Sequence, residues 1–235
     1  MPSLSQAATS QVGRKLLTGI TGILLVLFIV VHLAGNLAIF GDAEAMNRYS
    51  LMLHDLGPLL WLARIGLLAF FVVHAWLGIS IWLKKRKARP EKYEVYSSKG
   101  GPSKQSLSSR SMVFTGFVLL IFVFFHIQTF ALGDAQMVEL SDGRMATDIK
   151  SLVLETFQNP LYAFGYAIVM MILGTHLGHG IWSAFTSLGM SNKKMSAGFY
   201  TIGAIIAILL AVGFIFIPIY IYFGGGCEAA LIQCE

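Results

Sequence analysis

Apolar positions in this chain fall in five long blocks rather than at the spacing of a half-buried helix or strand. Residues 16–41 contain no Asp, Glu, Lys or Arg, residues 58–83 contain only Arg64, and residues 111–133 and 156–192 again contain none. A fifth run, 195–226, is longer than one span requires and carries Pro218 near its end. About 18 uncharged residues suffice to cross a bilayer as a helix. The pattern predicts an all-α integral membrane bundle of five transmembrane helices, at 16–40, 58–83, 111–133, 160–186 and 196–223, in one membrane domain over residues 1–235. Pro218 is expected to mark a kink or the exit of the last helix, with Gly224-Gly225-Gly226 beyond it. Segments of alternating polarity about ten residues long, the mark of a β-barrel, are missing from the sequence.

Arg14 and Lys15 precede the first run as they would precede a signal peptide. The run exceeds the roughly 7–15 residues of a signal core and holds His32 and Asn36 near its far end. It is read as a permanent helix.

Composition agrees with the pattern. Charged residues make up 12% of the chain, about half the usual share of a soluble domain. That leaves too little polar surface for a globule in water, and excludes a soluble enzyme, a coiled coil and a disordered chain.

The few charges sort by side. With the amino terminus inside, the inner segments 1–15, 84–110 and 187–197 hold 13 of the 17 Lys and Arg, and the outer segments hold only Arg48, Arg144 and Lys150. Ten of the 12 acidic residues fall outside. This bias predicts a cytoplasmic amino terminus and an external carboxyl terminus. The net charge of +5 thus belongs to one membrane face and not to a nucleic-acid surface. Most of it lies in the loop 84–110, where Lys84-Lys85-Arg86-Lys87-Ala88-Arg89-Pro90 can rest on anionic lipid and can also dock an acidic cytoplasmic partner. The only cysteines, Cys227 and Cys234, fall in the outer tail, where an oxidising medium permits a disulfide.

Four of the six histidines are distributed one per predicted helix: His32, His74, His126 and His176. A histidine inside a bilayer is costly and is a functional suspect, although any one alone can serve as polar glue between helices. Their depths match in pairs. His32 lies 17 residues after Lys15 and His126 lies 16 after Arg110, placing both about 25 Å from the inner boundary. His74 lies ten residues before Lys84, about 15 Å from that boundary. His176 lies 17 before Lys193, with an intervening turn. The set therefore divides into His32 with His126 outward and His74 with His176 inward. Two such levels across one membrane suit two haems, each iron held by imidazoles from two helices, as bundle cores hold cofactors. Gly35, Gly78 and Gly180 follow these histidines by three or four residues; they either admit a macrocycle or allow close helix packing. Phe124, Phe125 and Phe130 beside His126 suit lipid or haem equally. A zinc or di-iron site would want several ligands at one level, and a proton-coupled transporter an intramembrane carboxylate. No Asp or Glu lies in any predicted helix core.

Gly13-Arg14-Lys15, Thr21-Gly22, and His32-Leu33 with Gly35-Asn36-Leu37 resemble the first helix of one family: the single-chain, two-haem cytochrome b anchor of succinate:quinone oxidoreductases (succinate dehydrogenase or fumarate reductase). Ala88-Arg89-Pro90 with Tyr93 is similar to the same family. So is His176-Leu177-Gly178-His179-Gly180-Ile181-Trp182-Ser183-Ala184-Phe185 with Leu188-Gly189. The likeness runs from about residue 13 through 190 and is sparse in 134–158. It implies that helices one and three share the outer (distal) haem b and helices two and four the inner (proximal) haem b. It also implies that His176 rather than His179 is the ligand on the fourth helix. His179 lies near the same face, about 60° round, where it suits a propionate, a quinone or the core.

The resemblance further implies a three-part complex of the bacterial cytoplasmic (inner) membrane. In it a flavoprotein subunit with FAD oxidises succinate, an iron–sulfur subunit passes electrons on, and this chain anchors both and delivers electrons to a membrane quinone, menaquinone by expectation. Fumarate reduction would reverse the path. The chain would have no dicarboxylate site and no activity alone. Quinone donors are sought among Asn36, Asn47, Arg48 and His54 on the outer side, and among Arg14, Arg110 and His179 nearer the inner side; the inner group suits haem propionates as well. Arg64, about two turns into helix two, either neutralises a propionate or snorkels to the interface. The outer side is preferred for the quinone, since a second haem serves electrons that must travel far. The alternatives are the cytochrome b subunit of a hydrogenase or formate dehydrogenase, and a haem-free transport or assembly protein.

Overall fold

The computed structural model describes residues 6, 10–88, 107–190 and 195–225. Cys227 and Cys234, and Arg89, Pro90 and Tyr93 of the basic loop, lie outside the described residues.

Among the described residues there are seven α-helices: α1 (Gln11–Asn36), α2 (Ala45–His54), α3 (Pro58–Lys87), α4 (Leu107–His126), α5 (Ile149–Gln158), α6 (Pro160–Ser187) and α7 (Ser196–Tyr220). A 3-10 turn, Leu37–Phe40, extends α1, and π turns at Ile127–Ala131 and Ile221–Gly225 extend α4 and α7. Five of these elements are long and apolar enough to cross a membrane: Gln11–Phe40, Pro58–Lys87, Leu107–Ala131, Pro160–Ser187 and Ser196–Gly224. Each overlies one of the five predicted runs. Many of their large apolar side chains are exposed, among them Leu62, Ile65, Trp76, Phe114 and Leu209. Such helices would be insoluble in water and suit hydrocarbon, where the backbone satisfies its own polar groups. Pro218 lies inside α7. The ring removes one backbone donor, yet the helix runs on to Tyr220 and leaves through the π turn that follows.

The connections read only as loops from the sequence contain structure. Between α1 and α3 lies α2; between α4 and α6 lie an antiparallel hairpin, β1 (Met137–Glu139) and β2 (Met145–Thr147), and then α5. Gly57 has φ 54° and closes α2 by donating its N–H to the His54 carbonyl at 2.9 Å. A left-handed residue there favours glycine, and Pro58 then starts α3 with a preset φ.

By contact, the chain forms two compact units: Met1–Leu27, Gly66–Val118 and Leu173–Ile208, and separately Phe28–Ile65, Leu119–Ile172 and Leu209–Glu235. In the first unit, a Cβ on Gly203 would lie 3.3 Å from Ile181 Cβ, so α6 and α7 approach where a side chain is missing. Lipid supplies no hydrophobic drive between helices, and such close approach is how they hold together. The second unit has a buried apolar cluster of Ile39, Met46, Val153, Leu154, Phe157, Ile217 and Ile221, to which α2 and α5 both contribute.

Candidate functional site

The first unit brings His74 of α3 and His176 of α6 together. Their ring centres are 6.4 Å apart, with the planes at 70°. Each ring is held through Nδ1 by another helix. His74 Nδ1 lies 3.2 Å from the Thr18 carbonyl oxygen and 3.4 Å from Thr21 Oγ1, both on α1. His176 Nδ1 lies 3.0 Å from Thr115 Oγ1 on α4. Two glycines leave room for these rings. A Cβ on Gly22 would be 3.1 Å from His74 Cε1, and one on Gly116 would be 3.5 Å from His176 Cε1.

The second unit brings His32 of α1 and His126 of α4 together, with ring centres 5.7 Å apart and planes at 89°. Here each ring stacks on a phenylalanine one turn earlier in its own helix. Phe28 lies 5.2 Å from His32 at 18°, and Phe122 lies 5.5 Å from His126 at 28°. His126 Nδ1 is buried without a hydrogen-bond partner. The Asn36 amide nitrogen donates to the His32 carbonyl at 2.8 Å and lies 3.4 Å from His32 Nε2.

Counting histidines by depth passes over Thr21, Gly22, Thr115, Gly116, Phe28 and Phe122. A repeat in the sequence would have found them. Thr21-Gly22, Phe28 and His32 on α1 recur at identical spacing as Thr115-Gly116, Phe122 and His126 on α4. Pro58-Leu59, His74 and Gly78-Ile79 on α3 recur as Pro160-Leu161, His176 and Gly180-Ile181 on α6. Each facing pair therefore joins equivalent residues of two related helix pairs.

The glycines singled out beside the histidines serve different ends. Gly35 is filled from outside by Tyr49, whose ring carbon Cε1 would be 2.5 Å from an added Cβ, so its lack of a side chain serves helix packing. Gly78 has open space where its side chain would be, and Gly180 has only Met112 Cε at 4.0 Å.

The remaining candidates lie as follows. Arg14 donates to Ser80 Oγ on α3 at 3.2 Å. Arg110 is exposed in the first turn of α4. Arg64 is exposed, its guanidinium 5.2 Å from the centre of the Trp61 ring. His179 packs on Trp182 at 5.7 Å, and both His179 Nδ1 and Trp182 Nε1 are buried without a hydrogen-bond partner.

The three candidates on α2 are held in different ways. Asn47 is buried; its amide nitrogen donates to Asp148 Oδ1 at 2.9 Å and its oxygen accepts from the Lys150 N–H at 3.0 Å. Both ends of that amide thus tie α2 to the start of α5. Arg48 pairs with Glu44 at 2.6 Å and Asp142 at 2.7 Å. His54 is exposed, with Nδ1 2.8 Å from the Ser50 carbonyl of its own helix. The Ser141 backbone N–H, with its hydroxyl and Arg48, holds Glu44 below the usual carboxylate range. Partial burial of Asp148 acts upward, but Ser151, Asn47 and the Lys150 charge together hold its pKa below normal.

A metal between two imidazoles, with bonds of about 2.0 Å to each nitrogen, separates the ring centres by roughly 6.2 Å. Both pairs lie near that value. In the His74–His176 pair an Nδ1–H donated to a carbonyl or hydroxyl leaves Nε2 unprotonated, the form that ligates a metal. Among the described residues no three His, Cys, Asp or Glu side chains converge as a metal-ion site. Each pair offers two imidazoles at a spacing that would fit a haem held between them. No protein-family model, curated protein or solved structure matches the chain.

Proposed function

We propose that this chain is the two-haem cytochrome b anchor of a succinate:quinone oxidoreductase, carrying electrons between an iron–sulfur subunit and a membrane quinone. The observation that carries this reading is the pair of facing imidazoles in each compact unit, each drawn from two different apolar helices. A haem b held by two imidazoles would supply one-electron transfer. His32 and His126 would hold one such group and His74 and His176 the other. The chain's part is to supply these ligands, exclude water from them and hold them at fixed separation.

The charge bias of the sequence supports an amino terminus in the bacterial cytoplasm, with the His74–His176 pair nearer that side. The flavoprotein and iron–sulfur subunits would dock there, bringing FAD and the clusters. Menaquinone is the proposed electron partner, and the resemblance in α1 and α6 supports this assignment of complex and substrate.

The test is a reduced-minus-oxidised spectrum of the full chain in membranes, with haem b counted per polypeptide. Two low-spin haems b per chain are expected, and their complete lack overturns the reading. In the assembled complex, succinate is expected to reduce both. Reduction by hydrogen or formate instead would assign the chain to a different membrane oxidoreductase.

A further inference from the structure

Four polar or charged residues are buried among the described residues: Thr21, Asn47, Thr115 and Lys150. Asn47 and the Lys150 backbone are accounted for by the tie between α2 and α5. Thr21 and Thr115 are equivalent residues of the repeat, and each meets the histidine of a helix other than its own. Their hydroxyl protons are already committed along their own helices. Thr21 Oγ1 donates to the Leu17 or Thr18 carbonyl at 2.8 or 3.2 Å, and Thr115 Oγ1 to the Ser111 or Met112 carbonyl at 3.1 or 3.0 Å. With its proton spent there, each hydroxyl oxygen can only accept from the imidazole.

We infer that Thr21 and Thr115 are positioning residues for the His74–His176 pair. Thr115, and Thr21 together with the Thr18 carbonyl, hold the proton of each imidazole on Nδ1 and leave Nε2 free to ligate. This deepens the proposed function and rests on it. Residues that receive the second N–H of a metal-bound histidine fix its tautomer and raise its basicity. A more basic imidazole favours ferric over ferrous iron, so removing an acceptor raises the midpoint potential of the haem it serves. The two threonines are not equal in this. For His74 the Thr18 carbonyl is the nearer acceptor, at 3.2 Å against 3.4 Å for Thr21 Oγ1, whereas Thr115 Oγ1 lies at 3.0 Å from His176.

The test uses the full chain in membranes with Thr21→Val, Thr115→Val and the matching serine variants. It reads haem content and a spectroelectrochemical titration resolved into two components. Thr115→Val is expected to keep two haems and shift the ferrous-to-ferric ratio of one by about tenfold, equal to ~59 mV for one electron. Thr21→Val is expected to move the same component in the same direction by less, and serine to restore the potential in both. Two haems with neither potential moved by Thr115→Val overturn the inference and leave the proposed function standing. If Thr115→Val loses one haem, Thr115→Ser decides: recovery of haem and potential supports the hydroxyl's role, and failure to recover shows that only the methyl group's packing matters and overturns it. A chain without haem before any substitution overturns the proposed function itself.

Discussion

The two histidine pairs arise from one repeated pattern and are supported by opposite means. In the first unit each imidazole is hydrogen-bonded by a helix other than its own, through a backbone carbonyl, a buried threonine or both. In the second unit the support is mainly aromatic: Phe28 and Phe122 stack on the histidines one turn later in their own helices, the polar side chain of Asn36 lies 3.4 Å from His32 Nε2, and His126 Nδ1 has no partner. A hydrogen bond to Nδ1 selects a tautomer; a stacked ring restrains rotation and leaves the tautomer open. Matching ring separations therefore do not imply matching electronics, and the second unit's rings depend more on packing around them.

The most severe way to break the comparison is to remove a ligand from each pair in turn. His74→Ala and His32→Ala are each expected to reduce haem from two per chain to one, with spectrally different haems remaining. Loss of both haems in either variant would mean that the sites do not fill independently. The measurement is haem per polypeptide together with the low-temperature spectrum.

Smaller side chains sharpen it further. Gly22→Ala places a methyl 3.1 Å from His74 Cε1, tighter than an ordinary contact, so the ring must give by a few tenths of an ångström. It is expected to lower occupancy of the His74–His176 site alone. Gly116→Ala meets His176 at an ordinary 3.5 Å and is expected to leave occupancy unchanged. Absorption at saturating haem separates the two variants.

Asn47→Ala tests the second unit by itself. It leaves the buried Lys150 N–H and Asp148 without a partner they now have, a loss of about 1–3 kcal/mol. Faster hydrogen exchange in α2 and α5 is expected, with α3 and α6 amides of the first unit unaffected.

Acid should produce the mildest effect and again only in the second unit. Glu44, Asp142 and Asp148 are all held below their usual values of 4.5, 3.8 and 3.8. Their contribution is present above those unfolded values and is lost as pH falls through the lowered ones. Exchange protection in α2 and α5, corrected for intrinsic rate, is expected to weaken below about pH 4. The described part of the first unit contains no carboxylate and should not respond.

Much of this was legible along the chain. The five runs and the one-per-helix histidines follow from residue types counted in order, because a helix advances by a constant rise. The short helices α2 and α5 were not, since ten residues of mixed polarity carry no span signal and are stabilised by contacts with each other. The choice between the two roles open to Gly35 also needed coordinates: Tyr49 occupies the space beside it, from a segment whose helical form was itself unread.

The sequence by itself determined the number of long apolar helices, the depth of each histidine within its helix, and the repeat linking α1 with α4 and α3 with α6. Only the tertiary structure decided that the histidines face one another as ring pairs, and that Thr21 and Thr115 meet the imidazoles of other helices. The reason is physical. Helical periodicity places a residue at a height and on a face of its own helix, but says nothing of how that helix is rotated toward its neighbours. In an apolar medium that rotation is chosen by close packing at small residues and by the few polar groups that must find partners across helices.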